Sequence, residues 1–289
     1  MKKVLITGAK GFIGSCLLDY LVPTEYDIVR YDKLNSLVEY PWLKDLDAVI
    51  HLGARSSTNN INTDDVFNNN LLFSIDLINK LPKHCKLIYA SSASVYGNQP
   101  RHAVTEEKKY ENCDSLYSQS KLIFDDIVRT FFADRQFIGL RFFNVCSFNS
   151  ELHKTQPSPT YTFLNELKVS NTIKLFYGSD NVFRDFIYVE DVIRIIEFFL
   201  LQDIERADVF NVGSGIPISF EQVADAMINK FNDFTGSIAK KKYIDRPQNM
   251  TTNYQEYTHA DISKLRQAGY KSNIPTILDY ISDYDGYGY

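Results

Sequence analysis

Two side chains able to take part in acid–base chemistry lie four residues apart, Tyr117 and Lys121. Residues at this spacing share one face of an α-helix, so the phenol and the ammonium would be neighbours. An ammonium beside a phenol favours the phenolate and lowers the tyrosine pKa toward the range of an acid–base catalyst. The same spacing is common on solvent-exposed helices, so the pair predicts catalysis only together with other features.

A serine cluster precedes this pair. Residues 86–90 have the pattern of a buried strand that runs into Ser91 and Ser92, and Asp114 or Ser115 can cap the following helix at about 116–132. Ligands of doubly wound sheets bind at the carboxyl ends of the strands. Ser92 is therefore expected at the same edge of the sheet as the reacting groups.

The N-terminus carries glycines at a three-residue spacing between an apolar strand and an amphipathic helix: Gly8, Gly11 and Gly14. Glycine permits the turn and a close approach of the backbone to a phosphate, and the helix N-terminus attracts the anion. A second strand, 26–32, ends in Asp32. The pattern predicts a dinucleotide-binding turn.

The composition excludes several classes of protein. The 289 residues are 44% hydrophobic and 23% charged, as in a globular protein, without an apolar run near the ~20 residues of a membrane span. A net charge of −5 without a long basic run argues against a nucleic-acid surface. Four cysteines without a CxxC pair or a histidine cluster predict neither a metal site nor disulfides. The opening Met-Lys-Lys has no cleavage site after it, so a cytoplasmic location is expected.

Strand and helix patterns alternate through the first half of the chain, which predicts an α/β fold with a Rossmann-type doubly wound parallel sheet. The segment 33–45 is too short for a further strand and helix, and we expect that element to be truncated. Residues 147–160 are polar and carry two prolines, so we expect a loop there. We predict a dinucleotide-binding domain of 1–145 plus about 183–213, and a smaller α/β substrate domain of about 146–182 plus 214–289.

The glycine turn, the strand-end serine and the Tyr–Lys pair, in this order, resemble the extended short-chain dehydrogenase/reductase family along the whole chain. The resemblance implies that Ser92 and Tyr117 flank the substrate hydroxyl and that Tyr117 exchanges its proton. It implies that Lys121 holds the nicotinamide ribose and lowers the pKa of Tyr117. Sugar 4,6-dehydratases carry an Asp-Glu pair after the serine, where this chain has Ala93 and Ser94, which disfavours dehydration.

Further motifs are similar to the ADP-L-glycero-D-manno-heptose 6-epimerase family. They are the segments 89–93, 141–145, 153–154, 183–189, 254–258 and 260–262. That family oxidises the sugar, lets the keto intermediate present its other face and returns the hydride. By resemblance Tyr117 is the first proton-handling group and Lys154 the second. The alternative for Lys154 is a solvated loop lysine, because the loop differs from the family at Cys146 and by one residue inserted before His153.

The same resemblance, with the glycine turn and Asp32, assigns the binding residues. Those for the dinucleotide are Gly8, Gly11, Phe12, Ile13, Gly14, Asp32, Lys33, Leu52, Gly53, Ala54, Arg55, Ser56, Asn69, Lys121 and Val145. Those for the nucleotide sugar are Ser92, Asn144, Phe176, Tyr177, Gly178, Ser179, Arg184 and Tyr254. The planar fork of Arg184 suits a diphosphate. The alternative for Arg184 is a surface ion pair with Asp185 or Asp180.

Asp32 also bears on the cofactor. Its carboxylate would accept hydrogen bonds from the adenine ribose and repel a 2′-phosphate. Arg30 and Lys33 adjoin it, however, and the heptose epimerases use NADP with an acid in this place. NADP is therefore slightly favoured over NAD, tightly bound and recycled.

These features predict a nucleotide-sugar epimerase of carbohydrate metabolism, most like the heptose 6-epimerase that makes a lipopolysaccharide precursor. Three alternatives remain: a UDP- or GDP-sugar 4-epimerase, a nucleotide-sugar reductase, and a non-catalytic nucleotide-sugar binding protein. By resemblance the chain is a homo-oligomer. Neither nucleic acid nor a membrane is expected as a partner.

Overall fold

The computed structural model describes residues 1–22, 26–32, 41–55, 66–148, 157–247 and 255–286. In these ranges the strands are β1 (Lys2–Thr7), β2 (Tyr26–Tyr31), β3 (Ala48–His51), β4 (Lys86–Ser92), β5 (Phe137–Phe142), β6 (Asn144–Cys146), β7 (Thr172–Phe176), β8 (Phe183–Tyr188), β9 (Asp208–Val212), β10 (Pro217–Ser219) and β11 (Lys240–Ile244). The helices are α1 (Phe12–Leu21), α2 (Phe73–Lys80), α3 (Leu116–Phe131), α4 (Pro159–Ser170), α5 (Val189–Leu201), α6 (Phe220–Thr235), α7 (Ser263–Gln267) and α8 (Ile277–Asp283).

The chain forms two compact units. The first consists of Met1–Gly97, Glu111–Phe142 and Val192–Asn211. The second consists of Asn98–Tyr110, Phe143–Asp191 and Val212–Tyr289. These bounds differ from the predicted domains mainly at Asn98–Tyr110 and at β8, which both belong to the second unit.

The first unit is built on a six-stranded sheet with the order β2-β1-β3-β4-β5-β9. The neighbours from β2 to β5 pair in parallel. This is the Rossmann-type α/β fold that the alternating pattern predicts. Because parallel strands end at the same edge, β1, β3 and β4 bring Thr7, His51 and Ser92 to one edge of the sheet.

One face of this sheet is covered by α2 and α3, whose buried apolar side chains pack on the strands. The cluster includes Leu5, Val49, Leu87, Phe137, Val209, Phe73, Leu77, Ile78, Phe124 and Val128. Helix α3 begins where Ser115 accepts the N–H of Ser118 in a capping box, so Ser115 is the cap. The cap and the packed face fix the direction in which α3 presents its polar residues.

The helical segment that leads into α2 is described from residue 66 and is not uniform. A π-helical turn, Phe67–Leu72, leads into α2. A π-helical turn widens the helix and often occurs at functional sites. In the segment after Asp32 a 3₁₀ turn, Pro41–Asp45, precedes β3, and residues 33–40 lie outside the described part.

The second unit carries two small sheets. One has the order β10-β8-β6, with β8 antiparallel to β10 and parallel to β6, and the other pairs β7 with β11 in parallel. Helix α4 packs on β7 and α6. It starts at Pro159, capped by Ser158, so the expected loop at 147–160 gives way to a helix at its end.

No helix among the described residues is long and apolar enough to cross a membrane. All four cysteines, Cys16, Cys85, Cys113 and Cys146, carry free thiols. Within the described ranges, no cluster of three His, Cys, Asp or Glu side chains is placed to hold a metal ion.

Candidate active site

The glycine turn between β1 and α1 packs so closely that side chains are excluded. Gly8 has a φ of +69°, and a Cβ on it would lie 2.6 Å from the nitrogen of Gly53. A Cβ on Gly14 would lie 2.1 Å from the oxygen of Gly8. Gly11 is the N-cap residue of α1, and its N–H donates to the oxygen of Gly8 at 2.9 Å. Glycine is required at Gly8 and Gly14 for these physical reasons.

The start of α1, at Phe12 and Ile13, follows this turn directly. The first N–H groups and the positive end of the helix dipole favour an anion there. Asp32 lies next to the turn, because its carboxylate accepts the N–H of Lys10 at 2.9 Å. A close-packed backbone, a helix N-terminus and an acid after the second strand together fit a dinucleotide of the NAD type.

The turn 52–55 continues this edge of the sheet. The N–H of Leu52 donates to the oxygen of Thr7 at 3.1 Å. Asn69 is buried in the π-helical turn. Its neighbour Asn70, which the sequence analysis missed, accepts the N–H of Arg55 at 2.7 Å and donates to the Arg55 oxygen at 3.0 Å. Three consecutive asparagines, Asn68, Asn69 and Asn70, give no signal in the sequence as to which of them holds the turn.

Ser92 ends β4, and its hydroxyl accepts the N–H of Ser94 at 3.2 Å. The Ser92 hydroxyl lies near enough to the phenol of half-buried Tyr117 to affect its pKa. Burial raises the pKa of Tyr117, and the neighbouring Ser92 hydroxyl lowers it only in part. The direction is thus opposite to the predicted lowering, because loss of water around the phenol outweighs its neighbours.

Lys121 lies one turn further along α3 and is 7% exposed. Its Nζ donates to the oxygen of Ala90 at 2.7 Å and lies 5.9 Å from the centre of the Tyr117 ring. Burial lowers the pKa of Lys121 to about 8, against the opposing effect of Asp125. The structure thus brings Ser92, Tyr117 and Lys121 together at the carboxyl end of β4.

Asp125, which the sequence analysis also missed, follows Lys121 by one more turn of α3. Its Oδ2 accepts the hydroxyl of Ser91 and the Nε–H of Arg141, both at 2.9 Å. Arg141 also donates to Glu111 at 2.7 Å. The four-residue spacing from Tyr117 through Lys121 to Asp125 was the signal that could have found it.

Several predicted substrate residues lie in the second unit. Asn144 and Val145 form part of β6, and the Oδ1 of Asn144 accepts the hydroxyl of Thr258 at 3.1 Å. Phe176 ends β7, and Tyr177 after it is 65% exposed and stacks on Tyr243 with ring centres 5.9 Å apart.

The turn after β7 ends in a buried hydrogen bond. Gly178 has a φ of +82°, which a side chain would disfavour. The hydroxyl of Ser179 donates to Glu221 at 2.9 Å. Ser179 is therefore fixed to α6, while Tyr177 presents an aromatic face to solvent.

Arg184 is 6% exposed, so it is not a surface residue. Its guanidinium donates to the oxygens of Phe183, at 3.0 Å, and Gln255, and lies 5.6 Å from the centre of the Phe220 ring. The oxygens of Asp185 accept backbone N–H groups instead. A surface ion pair with Asp185 does not describe this arrangement.

Four predicted site residues lie outside the described residues: Lys33, Ser56, Lys154 and Tyr254. Lys33 and Ser56 were assigned to the cofactor, Tyr254 to the nucleotide sugar, and Lys154 to the second proton transfer. These assignments stay predictions.

Comparison with known proteins identifies the family. A profile described as the NAD dependent epimerase/dehydratase family matches residues 4–213. The chain belongs to this family. The match runs from the glycine turn through Ser92, Tyr117 and Lys121 to the end of β9.

Solved structures share this fold over nearly the whole chain. ADP-L-glycero-D-manno-heptose-6-epimerase from Helicobacter pylori has a TM-score of 0.80 and 25% identity, over 98% of this chain and 94% of that one. UDP-glucose-4-epimerase from Stenotrophomonas maltophila, solved with NAD and formylated UDP-arabinopyranose, has a TM-score of 0.79 and 24% identity, over 99% of this chain and 98% of that one. RMD from Pseudomonas aeruginosa, solved with NADPH, has a TM-score of 0.74 and 21% identity, over 99% of both chains. Structures of this epimerase/dehydratase fold have thus been solved with NAD and with NADPH.

Proposed function

We propose that this protein is an NAD(P)-dependent nucleotide-sugar epimerase, most like the ADP-glyceromanno-heptose 6-epimerases. It would invert a carbinol centre by transient oxidation and re-reduction on the other face. The observation that carries the proposal is that Ser92, Tyr117 and Lys121 lie together at the carboxyl end of β4, with the Nζ of Lys121 5.9 Å from the centre of the Tyr117 ring and 2.7 Å from the oxygen of Ala90. Family membership and the similarity to the Helicobacter pylori enzyme support it.

The chain's own residues would handle protons and orientation. Tyr117 would exchange the proton of the substrate hydroxyl on one face, with Ser92 holding the same oxygen by its hydroxyl, and a second group would exchange the proton on the other face. Lys121 would hold the nicotinamide ribose, and its ammonium would favour the phenolate when Tyr117 gives up its proton. The dinucleotide, when bound by the glycine turn and the start of α1, would supply hydride acceptance and return through its nicotinamide.

Lys154 is our proposed proton-handling group for the second face. The support is its place in the heptose-epimerase pattern. Lys154→Met should leave dinucleotide binding intact and abolish inversion. Full epimerase activity in that variant would instead favour a solvated loop lysine.

A 4-epimerase is the second candidate, favoured by the similarity to the Stenotrophomonas UDP-glucose-4-epimerase. It would need Ser92, Tyr117 and Lys121 but not Lys154. A net reductase would consume reduced cofactor stoichiometrically, which absorbance at 340 nm would detect. A non-catalytic binding protein would show no turnover, and the intact pair of Tyr117 and Lys121 argues against it. Ala93 and Ser94 after the strand-end serine likewise argue against dehydration.

For the cofactor we propose NADP, on the grounds of the heptose-epimerase resemblance and of Arg30 and Lys33 beside Asp32. The carboxylate of Asp32, next to the glycine turn, supports NAD instead. Titration of the cofactor-free protein decides between them, and much tighter binding of NAD would reverse the assignment. Self-association and a cytoplasmic location stay predictions.

The deciding experiment incubates the purified protein with ADP-glyceromanno-heptose in ordinary and in deuterated water and follows the sugar by NMR. UDP- and GDP-sugars serve as parallel substrates. Inversion of the heptose without added cofactor is expected, and Tyr117→Phe should abolish it while binding the dinucleotide. Inversion of a UDP- or GDP-sugar alone would favour the 4-epimerase, and no inversion of any of them would contradict the proposed function.

A further inference from the structure

A buried histidine lies between the two points at which the turn 52–55 is attached. His51, the last residue of β3, is 4% exposed, and the proposed chemistry does not use it. Its Nδ1 lies 2.6 Å from the hydroxyl of Thr7, and its Nε2 lies 2.8 Å from the hydroxyl of Ser74. Thr7 is 0% exposed and Ser74 2%, so protein groups must satisfy these polar atoms.

Each of the two hydroxyls connects His51 to a different residue of the turn 52–55. The Thr7 hydroxyl accepts the N–H of Gly53 at 3.2 Å. The Ser74 hydroxyl donates to the backbone oxygen of Asn70 at 2.7 Å. The side chain of Asn70 forms hydrogen bonds with both the backbone N–H and the backbone oxygen of Arg55. Gly53 and Arg55 are thus connected through four buried residues with His51 in the middle: through the side chains of Thr7, His51 and Ser74, and then through Asn70, whose backbone oxygen meets Ser74 and whose side chain meets Arg55.

The hydrogen-bond partners determine where the protons lie in this hydrogen-bond chain. The single hydrogen of the Ser74 hydroxyl is donated to the backbone oxygen of Asn70, which can only accept. Ser74 must therefore accept from His51, which places the ring hydrogen on Nε2. Nδ1 is then the acceptor, and the Thr7 hydroxyl donates to it. Every donor faces an acceptor only when His51 is neutral and carries its hydrogen on Nε2.

The chain also reaches the helix that carries the candidate catalytic pair. Asn70 Nδ2 lies 3.5 Å from the hydroxyl of Ser120, which donates to the backbone oxygen of Tyr117 at 2.7 Å. Gly53 in turn packs against Gly8, since a Cβ on Gly8 would lie 2.6 Å from its nitrogen. The turn 52–55 therefore lies between the glycine turn and α3.

We propose that His51 is a positioning residue whose fixed tautomer couples both attachments of the turn 52–55, so that this edge of the dinucleotide site is held in its binding geometry. The consequence for the cofactor rests on the proposed function. When the site is already ordered before binding, the cofactor does not bear the free-energy cost of ordering it. Breaking this hydrogen-bond chain should therefore weaken cofactor binding as well as lower the stability of the fold. Burial and the charge of Lys121 both lower the pKa of His51, to about 3, which keeps the ring neutral.

The first test is NMR of the wild-type protein labelled with ¹⁵N-histidine. The His51 signals are assigned among the five histidines by their loss in His51→Gln. The Nε2–H tautomer is expected, unchanged from pH 8 to about 4. An Nδ1–H tautomer, or protonation of His51 near pH 6.5, would overturn the proposal.

The second test separates positioning from stability. Ser74→Ala breaks the chain between His51 and Asn70, and Ile195→Ala removes buried apolar contacts from α5 in the same unit. The dissociation constants of NAD and NADP are measured by calorimetry on cofactor-free proteins, beside the thermal unfolding midpoints. We expect Ser74→Ala to weaken binding about tenfold and Ile195→Ala to change it less than about twofold at a comparable loss of stability.

Equal weakening in both variants would overturn the proposal, because it would follow stability alone. So would unchanged binding in Ser74→Ala. A wild-type protein that binds neither dinucleotide would contradict the proposed function instead, and the tautomer measurement would then decide the His51 chain by itself.

Discussion

The two units hold a buried carboxylate in different ways. Asp125 in the first unit and Asp185 in the second are both 0% exposed. Asp125 faces the charge of another side chain, because Arg141 donates its Nε–H to it at 2.9 Å. Burial lowers the pKa of Arg141, but Asp125, Tyr96 and Glu111 more than reverse this, so the guanidinium stays charged.

Asp185 is held mainly by backbone N–H groups, with one further hydrogen bond from the Ser214 hydroxyl at 2.9 Å. Its Oδ1 accepts the N–H of Ser214 at 2.6 Å, and its Oδ2 accepts those of Gly215 and Ala260 at 3.0 and 2.9 Å. The side chain thus joins two segments that lie far apart in sequence. An ionic partner can be replaced together with the charge it faces, whereas backbone N–H groups remain when a side chain is exchanged for any residue other than proline.

Asp185→Ala should therefore give the largest effect, a loss of about 4 kcal/mol in the free energy of unfolding, because three buried N–H groups lose their acceptor. Urea denaturation measures it. Asp185→Asn keeps one acceptor oxygen and should lose less. A loss below about 1 kcal/mol for Asp185→Ala would mean that water or a neighbouring group replaces the carboxylate.

The pair of Asp125 and Arg141 should be sensitive to single substitutions as well, but replacing both residues together should restore part of the lost stability. Arg141→Met and Asp125→Leu should each cost about 3 kcal/mol, because Arg141→Met leaves Asp125 without its ionic partner and Asp125→Leu leaves Arg141 with Glu111 alone as an ionic partner. The double variant should cost less than the sum of the two, by about 2 kcal/mol in a double-mutant cycle of urea denaturations. Additive losses would remove the distinction between the two carboxylates.

The sequence predicts features that depend on neighbouring residues better than features that depend on contacts between distant segments. The glycine turn, the alternation of strands and helices, and the Tyr117–Lys121 pair are local patterns, in which the spacing alone decides the geometry. The cap at Ser115 is local as well. These features give the fold of the first unit and the core of its site.

The rest depends on contacts between distant segments. Asp185 meets Ala260 across 75 residues, and Arg141 meets Glu111 across 30. The raised pKa of Tyr117 depends on burial, which the packing of other elements decides. Neither spacing nor residue type reports such contacts, so the sequence could not supply them.

His51 shows a third way of burying a titratable group, by keeping it neutral. Its pKa is lowered from 6.5 to about 3, first by burial and then by Lys121. Below pH 6.5 the unfolded chain binds a proton that the folded protein refuses, so stability is lost as the pH falls from 6.5 to about 3. At pH 5 the loss should be about 2 kcal/mol. Urea denaturation at pH 7 and pH 5 should show it in the wild type and not in His51→Gln; equal losses in both would assign it to other groups.

Lys86 is the counterpart of Asp185 in the first unit, a buried cation held by backbone oxygens. Its Nζ donates to Phe199 and Leu200 at 3.1 Å, and to Gln202, at the end of α5. Burial lowers its pKa, and the negative end of the helix dipole favours its charge. Lys86→Met should cost only about 1–2 kcal/mol, because carbonyls at a helix end can turn to water and methionine keeps the apolar stem.

The exposed Lys83→Met provides the matched control in the same urea denaturations. It should change stability by less than about 0.5 kcal/mol. Equal effects at both positions would mean that the α5 oxygens do not depend on Lys86. A loss at Lys86 as large as that of Asp185→Ala would mean that any buried charge held by the backbone is irreplaceable, whatever its sign and whichever unit it belongs to.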